Sequence, residues 1–421
     1  MPLVRFLLDA VRAMFRGGRA YWMWLGALAL IIAIGLVAYA VQLRDGLVVT
    51  GMSDQVSWGF YIANFAFLVG IAAAAVLLVI PAYVFHRKDV KAVVLLGEAL
   101  AVAAVITAML FVTVDIGRPD RLWHMLPGIG IFNFPTSMLA WDVVVLSGYL
   151  LLNLALLLYV HYSHYRDREP NLALYFPVVV VAMFWAISIH TVTAFLFSAN
   201  SARPFWNVAL LAPRFIATAF VAGPALIILV LQVVRSTTRY PVSQSVIDML
   251  ALIMTVALQI SLFFVGAELF TDFYNESTHA ASMRYLYFGL DGLNALQPFI
   301  WTALALNIAA VVILTLNPLR RRMALLNAAC VMAFIGIWLE KGMGLVVPGF
   351  VPTPLGEVFE YSPTALELAV SAGIWAIGAL VFTLLAKASI AVELGDVRYR
   401  EPRGTTAGLG AEIPARASRV S

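Results

Sequence analysis

The chain has 421 residues, of which 62% are hydrophobic and only 12% are charged, with a formal net charge of +4. Soluble globular proteins have about a quarter charged residues, so this composition indicates a polytopic membrane protein. The single cysteine, Cys330, excludes an intrachain disulfide, a cysteine-ligated iron–sulfur cluster and a CxxCH haem attachment in this chain. If the protein handles electrons, a partner or a diffusible cofactor must carry them.

Ten stretches are long and apolar enough to cross a membrane, because a spanning helix needs about 20 mostly apolar residues. Several exceed 25 residues, which predicts tilted helices or helices that extend into the headgroup layer. The predicted fold is an all-α integral membrane protein with about ten transmembrane helices. The predicted spans, called first to tenth in chain order, are 21–42, 57–84, 91–115, 138–160, 171–197, 209–234, 244–270, 295–316, 323–340 and 363–388.

The predicted domain organisation is a single transmembrane domain, 21–390, between two polar ends. Residues 1–20 carry four arginines and are expected to form an interfacial lead-in, and residues 391–421 are expected to form a flexible tail. The first span contains Ala38-Tyr39-Ala40, which resembles a signal-peptide cleavage site. Its apolar run is longer than that of a typical signal peptide, so we expect an uncleaved span.

The distribution of basic residues predicts the orientation in the membrane. Twenty of the 27 Lys and Arg residues fall on the two ends and on the loops after the second, fourth, sixth and eighth spans. Cytoplasmic segments carry an excess of Lys and Arg, so both termini are predicted to be cytoplasmic, in a bacterial inner membrane. The third and seventh spans then both end outside in acidic residues, which favours two four-helix bundles with flanking first and tenth spans. Two acidic ends are weak grounds for an internal repeat.

With this orientation, most ionisable side chains of the spans lie in the outer leaflet. Ionisable residues inside a membrane are costly and usually have a function, so these residues are candidates for a functional site. The richest stretch, DIGRPDRLWHMLPGIGIFNFPTSMLAWD, runs from Asp115 to Asp142 and joins the third and fourth spans. The other polar residues predicted at this depth are Asn64, His190, Glu268, Asp272, Glu340 and Lys341.

Structural alternatives exist for these residues. Asp115 and Arg118 are also explained as an ion pair that ends a helix, and His190 as a hydrogen-bond partner between helices. His124 lies in a loop beside a tryptophan and is also explained as an interfacial residue. Asp142 is harder to explain in this way because it lies deeper in the membrane.

Three further observations complete the set of candidates. Trp141 suggests a membrane interface at the level of Asp142, and Glu268 has no adjacent countercharge in FFVGAELF. Glu98 lies about two turns from the cytoplasmic end of the third span, where it marks a proton route or bonds to a neighbouring helix. A b-type haem needs paired facing histidines and His190 is the only deep one, so haem b is disfavoured and no metal site is predicted.

Three stretches resemble the NrfD/PsrC family, the quinone-binding membrane subunits of polysulfide-reductase-like respiratory complexes. They are VDIGRPDRLWHM followed by PTSM and AWD, WGFYIANFAFLVGIAAAAVLLV in the second span, and ARPFWNVALLAPRFIATAFVAGPALI entering the sixth. Ten spans and the WGFYIANFAF stretch look most like the longer DsrP/HmcC branch. DsrP is the integral subunit of the DsrMKJOP complex of dissimilatory sulfur metabolism.

The resemblance implies a chain without its own haem or iron–sulfur cluster that binds menaquinone or ubiquinone near the outer face. Electrons would pass between the quinone and an extracytoplasmic ferredoxin-like iron–sulfur subunit. A DsrMKJOP-like complex would add a c-type cytochrome, a haem b membrane subunit and a cytoplasmic iron–sulfur subunit. Together with the depth argument, this predicts catalytic roles for Asp142, His124, His190 and Asp115, and a quinone pocket formed by Trp58, Tyr61, Asn64, Arg118, Trp141 and Glu268.

The favoured hypothesis is quinone oxidoreduction, with Asp142 as the proton-accepting carboxylate, partnered by His124 or His190. In this hypothesis Arg118 holds Asp115 ionised. A secondary transporter without redox activity is the alternative, although such proteins usually place their charges near the midplane. A structural anchor for a redox partner is a third interpretation.

Overall fold

The computed structural model describes residues 2–72, 75–126, 128–275 and 279–399. Within these ranges the regular elements are helices, and ten are long and apolar enough to cross a membrane. This confirms the predicted all-α fold and the order of the spans, while the side on which the termini lie stays a prediction. The spans are Arg19–Asp45, Phe60–Val84, Val94–Asp115, Met138–Tyr165, Leu172–Ser198, Leu211–Thr237, Gln244–Tyr274, Gln297–Thr315, Met323–Phe350 and Ala365–Glu393.

Side-chain caps fix where several spans begin. The Ser137 hydroxyl accepts from the backbone N–H of Ala140 at the start of the fourth span. Thr364 and Glu367 form a capping box at the start of the tenth. Both devices satisfy backbone N–H groups that have no partner within the helix.

The ninth span corrects one predicted boundary. The sequence placed its end at residue 340, because the Glu340-Lys341 pair interrupts the apolar run. The helix instead continues to Phe350, through a π-helical turn at Leu339–Met343. Glu340 and Lys341 therefore lie inside the span, each only 4% exposed.

The spans form two four-helix bundles, as predicted. The second to fifth spans pack in one ring, the sixth to ninth pack in another, and the second span also contacts the sixth and the ninth. The first and tenth spans pack on each other at the flank of the third. Two glycines allow this close approach, because a Cβ added at Gly35 would lie 2.6 Å from the Cα of Gly373.

A short amphipathic helix, Pro2–Met14, precedes the first span. Its Phe6, Ala10 and Ala13 are buried against Tyr165 and Val392, at the ends of the fourth and tenth spans. The N-terminal helix thus lies against the same end of the bundle as the end of the tenth span. Residues 400–421 of the predicted tail lie outside the described residues.

Candidate functional site: a carboxylate-lined cavity

A cavity of about 630 Å³ lies between the second, third and fourth spans, under the loop that joins the third span to the fourth. Small-molecule sites usually have volumes of roughly 300–1,000 Å³ and mostly apolar walls with a few polar groups. We call it the Asp142 cavity. Among the predicted site residues it is lined by Trp58, Asp115, His124 and Asp142. Its apolar walls include Ile62, Phe65, Met109, Val112, Ile131, Phe132, Leu139, Val143, Leu146 and Leu196.

Asp142 is the more buried of the two carboxylates that line this cavity and is 5% exposed. It lies on the second turn of the fourth span, and its Oδ1 accepts a hydrogen bond of 2.8 Å from the Thr193 hydroxyl on the fifth span. Sequence reasoning missed Thr193, although it lies within the polar run SIHTVTAF that drew attention to His190. The hydrogen bond holds the carboxylate in one orientation beside the cavity.

Asp115, the last residue of the third span, also lines the cavity. Its Oδ1 is buried and has no hydrogen-bond partner among the described residues. His124 lies nearby in the loop, with its ring 3.9 Å from that of Trp123 between centroids. The third span, the loop and the fourth span thus each contribute polar groups to a cavity whose other walls are largely apolar.

Arg118 does not hold Asp115, which corrects the expected ion pair. Its guanidinium donates to both carboxylate oxygens of Asp120, at 2.9 and 2.8 Å. This hydrogen bonding lowers the pKa of the Asp120 carboxyl. Both side chains are more than half exposed.

Three predicted pocket residues are engaged elsewhere and do not line the Asp142 cavity. The Tyr61 hydroxyl donates to Gln42 Oε1 at 2.7 Å, and Asn64 Oδ1 accepts from the indole N–H groups of Trp338 and Trp375. The third, Trp141, donates from its indole to the Pro135 carbonyl. These side chains connect neighbouring elements, and their predicted depth in the membrane did not indicate this role.

Trp58 forms an aromatic wall with partners that the sequence did not single out. Its ring stacks on Trp206 at 5.7 Å between centroids and meets Phe197 and Phe350 edge to face. Trp206 is fully buried and donates to the Leu345 carbonyl at 2.8 Å. A rigid aromatic cluster therefore supports the cavity on the side that faces the second bundle.

The profile of the family described as "Polysulphide reductase, NrfD" matches residues 48–351. The chain belongs to the NrfD family. A Halobacterium salinarum protein, described as a putative membrane subunit of dimethyl sulfoxide reductase, is 29% identical, covering 85% of this chain and 88% of its own length. An Archaeoglobus fulgidus "Hdr-like menaquinol oxidoreductase integral membrane subunit" is 26% identical, covering 85% and 90%. A selenate reductase subunit of Mesobacillus selenatarsenatis is 22% identical, covering 85% and 91%.

The NrfD match spans both four-helix bundles, from before the second span to the end of the ninth. The first and tenth spans lie outside it. This NrfD-family chain is therefore a multi-pass integral membrane protein whose family-specific part contains the Asp142 cavity.

The second bundle of this family member contains a buried ionic cluster. It includes Glu268, which the sequence analysis assigned to the quinone pocket. Arg214, on the first turn of the sixth span, pairs with Glu268 and also donates to Glu340 Oε1 at 3.0 Å. Glu340 Oε2 accepts from Asn307 at 2.9 Å. No countercharge is adjacent to Glu268 in the sequence, and Arg214 reaches it from another span.

His190 lies on the fifth span one turn from Thr193, yet it does not line the Asp142 cavity. Its Nδ1 is 3.0 Å from the Ala186 carbonyl, and its Nε2 is buried without a partner within the described ranges. Lys341 is its charged neighbour, and the Lys341 ammonium lies 4.0 Å from the centre of the Phe215 ring. His190 is therefore near the contact between the bundles, and neither His190 nor Glu268 lines the Asp142 cavity.

Proposed function

We propose that this chain is the quinone-binding membrane subunit of a respiratory redox complex and that the Asp142 cavity is its quinone site. The observation that carries the proposal is a buried carboxylate, oriented by Thr193, on the wall of a cavity of about 630 Å³ that is otherwise largely apolar. The names of relatives support it, since one is called a menaquinol oxidoreductase subunit. Another, matching 24% of this chain, is called a menaquinone reductase subunit.

The residues of the cavity fit a quinone. A quinone ring has two oxygens at opposite ends, so its site needs a polar partner at each end and apolar walls between them. In the proposed binding mode Asp142 meets one ring oxygen, and Asp115 with His124, which line the same cavity, meet the other. The buried Asp115 Oδ1 is an acceptor that a ring hydroxyl would satisfy.

Interconversion of a quinol and a quinone transfers two electrons and two protons. Asp142 serves as the proton acceptor, because it is a carboxylate in a site sheltered from water and a hydroxyl bound beside it lies within reach of its free oxygen. Thr193 keeps the other oxygen occupied and fixes the orientation of the carboxylate. His124, in the loop at the cavity edge, is placed to pass protons to the aqueous phase.

Electrons leave or enter through a partner protein. The proposed partner is a ferredoxin-like iron–sulfur protein docked over the loop between the third and fourth spans, on the outer face. This arrangement, with both termini in the cytoplasm of a bacterial inner membrane, rests on the Lys and Arg distribution and on the family resemblance. A DsrMKJOP-like complex of dissimilatory sulfur metabolism is the finer proposal, and it rests on the ten spans and the WGFYIANFAF stretch alone.

The test is Asp142→Asn in the native complex, purified through a tag on this chain. Quinol oxidation by a short-chain menaquinol analogue should fall by about 100-fold, which corresponds to about 2.7 kcal/mol of transition-state stabilisation. Asn is close in size to Asp, so complex assembly and the content of co-purified quinone should not change. The matched control is Asp120→Asn, on the exposed loop pair, which should retain full turnover.

Unchanged quinol oxidation in Asp142→Asn would contradict the assignment of the proton acceptor. Wild-type complex without co-purified quinone and without quinol oxidation would contradict the function itself. That second result would favour the structural anchor or the transporter.

A further inference from the structure

A second buried carboxyl, Glu98, lies near the opposite end of the third span from the Asp142 cavity. It is 1% exposed and borders a small cavity with Tyr149 and Asn153. Tyr175 of the fifth span lies next to it. Neither carboxyl oxygen reaches hydrogen-bond geometry with any of the described residues in this conformation. A buried carboxyl without a fixed partner is costly to keep unless it has a function.

Tyr175 connects Glu98 to a second tyrosine. Its hydroxyl lies 2.8 Å from the hydroxyl of Tyr83, and the ring centroids are 5.3 Å apart. Tyr83 belongs to the π-helical turn Ile80–Val84 that ends the second span. Such turns are frequent at functional sites because they redirect side chains out of the regular helical register.

Both tyrosines line a cavity of about 250 Å³, which we call the Tyr83 cavity. Its other walls carry five ionisable residues, Lys88, Lys91, His164, Glu169 and Glu393. His164 and Glu393 pair with each other, and their side chains are 26% and 20% exposed. Water therefore reaches the mouth of this cavity, which opens at the ends of the second, fourth and tenth spans. The Lys and Arg distribution predicts that these ends are cytoplasmic.

We propose that Glu98 is a proton-binding site that exchanges protons with the cytoplasmic side through Tyr175 and Tyr83. A proton from water in the Tyr83 cavity moves to the Tyr83 oxygen while the Tyr83 hydroxyl proton moves to Tyr175. The Tyr175 hydroxyl proton moves to the Glu98 carboxylate. The net change is one proton carried from water to the carboxylate, with both phenols restored and no electron transferred.

The inner site is separate from the Asp142 cavity. Glu98 and Asp115 are seventeen residues apart on one helix, which corresponds to about 25 Å at 1.5 Å per residue. The only hydroxyl groups between them on that span, Thr107 and Thr113, donate to backbone carbonyls of their own helix. The third span itself therefore supplies no chain of hydroxyl groups from Glu98 to the Asp142 cavity.

Hydrogen–deuterium exchange followed by infrared spectroscopy tests the relay without any turnover. The wild-type minus Glu98→Gln difference spectrum of the whole complex identifies the carbonyl band of protonated Glu98. After transfer to D₂O this band should shift within seconds in the wild type. The shift should be at least about tenfold slower in Tyr175→Phe and in Tyr83→Phe, because each variant removes one hydroxyl of the relay.

Tyr149→Phe is the matched control. Tyr149 borders the same small cavity as Glu98, but its hydroxyl donates to the Ala72 carbonyl at 3.3 Å. Its removal should leave the exchange rate unchanged. Equal rates in the wild type and in both relay variants would overturn the proposal, as would the lack of a protonated Glu98 band at any pH.

The side of access is tested with membrane vesicles of opposite orientation. An acid pulse in an impermeant buffer should increase the Glu98 band promptly in inside-out vesicles and slowly in right-side-out vesicles. The reverse order would overturn the cytoplasmic assignment. These readings need no quinol, so failure of the relay and failure of the proposed quinone function are distinguishable.

Discussion

The two four-helix bundles carry acidic side chains at the same end, yet they use them in different ways. In the first bundle Asp115 and Asp142 border a cavity, and Asp142 accepts a hydrogen bond from the neutral hydroxyl of Thr193. In the second bundle Glu268 and Glu340 share the guanidinium of Arg214. The depth of an acid in the membrane thus indicates where a site could be, whereas the partner of the acid indicates which function it has.

The Arg214 cluster is almost completely buried. The side chain of Arg214 is 14% exposed and those of Glu268 and Glu340 are 10% and 5% exposed. Buried pairs of this kind contribute little net stability relative to apolar residues, but removal of one partner leaves an uncompensated charge. The cluster is therefore expected to be a structural connection between the sixth, seventh and ninth spans.

The largest expected effect is that of Arg214→Met. It leaves two carboxylates buried without their shared cation, and breaking a buried pair costs about 3–5 kcal/mol. The folded yield from membranes and the thermal midpoint in detergent should both fall. The triple variant Arg214→Met, Glu268→Gln, Glu340→Gln should recover most of the loss. If Arg214→Met alone were as stable as the wild type, the Arg214 cluster would not be a structural connection, and the proposed difference between the two bundles would be wrong.

The next prediction compares one variant from each bundle. Glu268→Gln should lower the thermal midpoint, because it weakens the Arg214 cluster, and leave quinol oxidation within about twofold of the wild type. Asp142→Asn should show the opposite pattern, with turnover reduced and the midpoint retained. Measuring both quantities on both variants tests the comparison directly. If Glu268→Gln protein were stable but lost turnover, Glu268 would belong to the quinone pocket, as the sequence analysis predicted.

A smaller effect is expected from Thr193→Val. It removes the 2.8 Å hydrogen bond to Asp142, and such a bond contributes about 1 kcal/mol. Quinol oxidation should fall by about fivefold through kcat, since the carboxylate loses its fixed orientation. Thr193→Ser keeps the hydroxyl and should retain turnover. If the Ser variant loses as much as the Val variant, the hydroxyl is not what orients Asp142.

The sequence predicted the fold well because the number of spans depends on local hydropathy. It also selected Asp115, His124 and Asp142 of the Asp142 cavity, since the motif between the third and fourth spans is contiguous, and the family resemblance added Trp58. The sequence did not predict the side-chain contacts between different spans. Arg214 and Glu268 are 54 residues apart, and nothing in either local sequence indicates the other. The partners of Asn64 are tryptophans more than 270 residues away.

The smallest expected effect is that of Arg118→Ala, and it tests the residue on which sequence and structure differ most. The family resemblance placed Arg118 in the pocket, whereas the structure pairs it with Asp120 on an exposed loop. Exposed ion pairs are screened by solvent and contribute little, so the thermal midpoint should not change measurably. Quinol oxidation by the purified complex should stay within about twofold of the wild type, with Asp120→Ala as the matched control. A large loss in Arg118→Ala alone would mean that Arg118 leaves Asp120 when quinol or the partner protein binds.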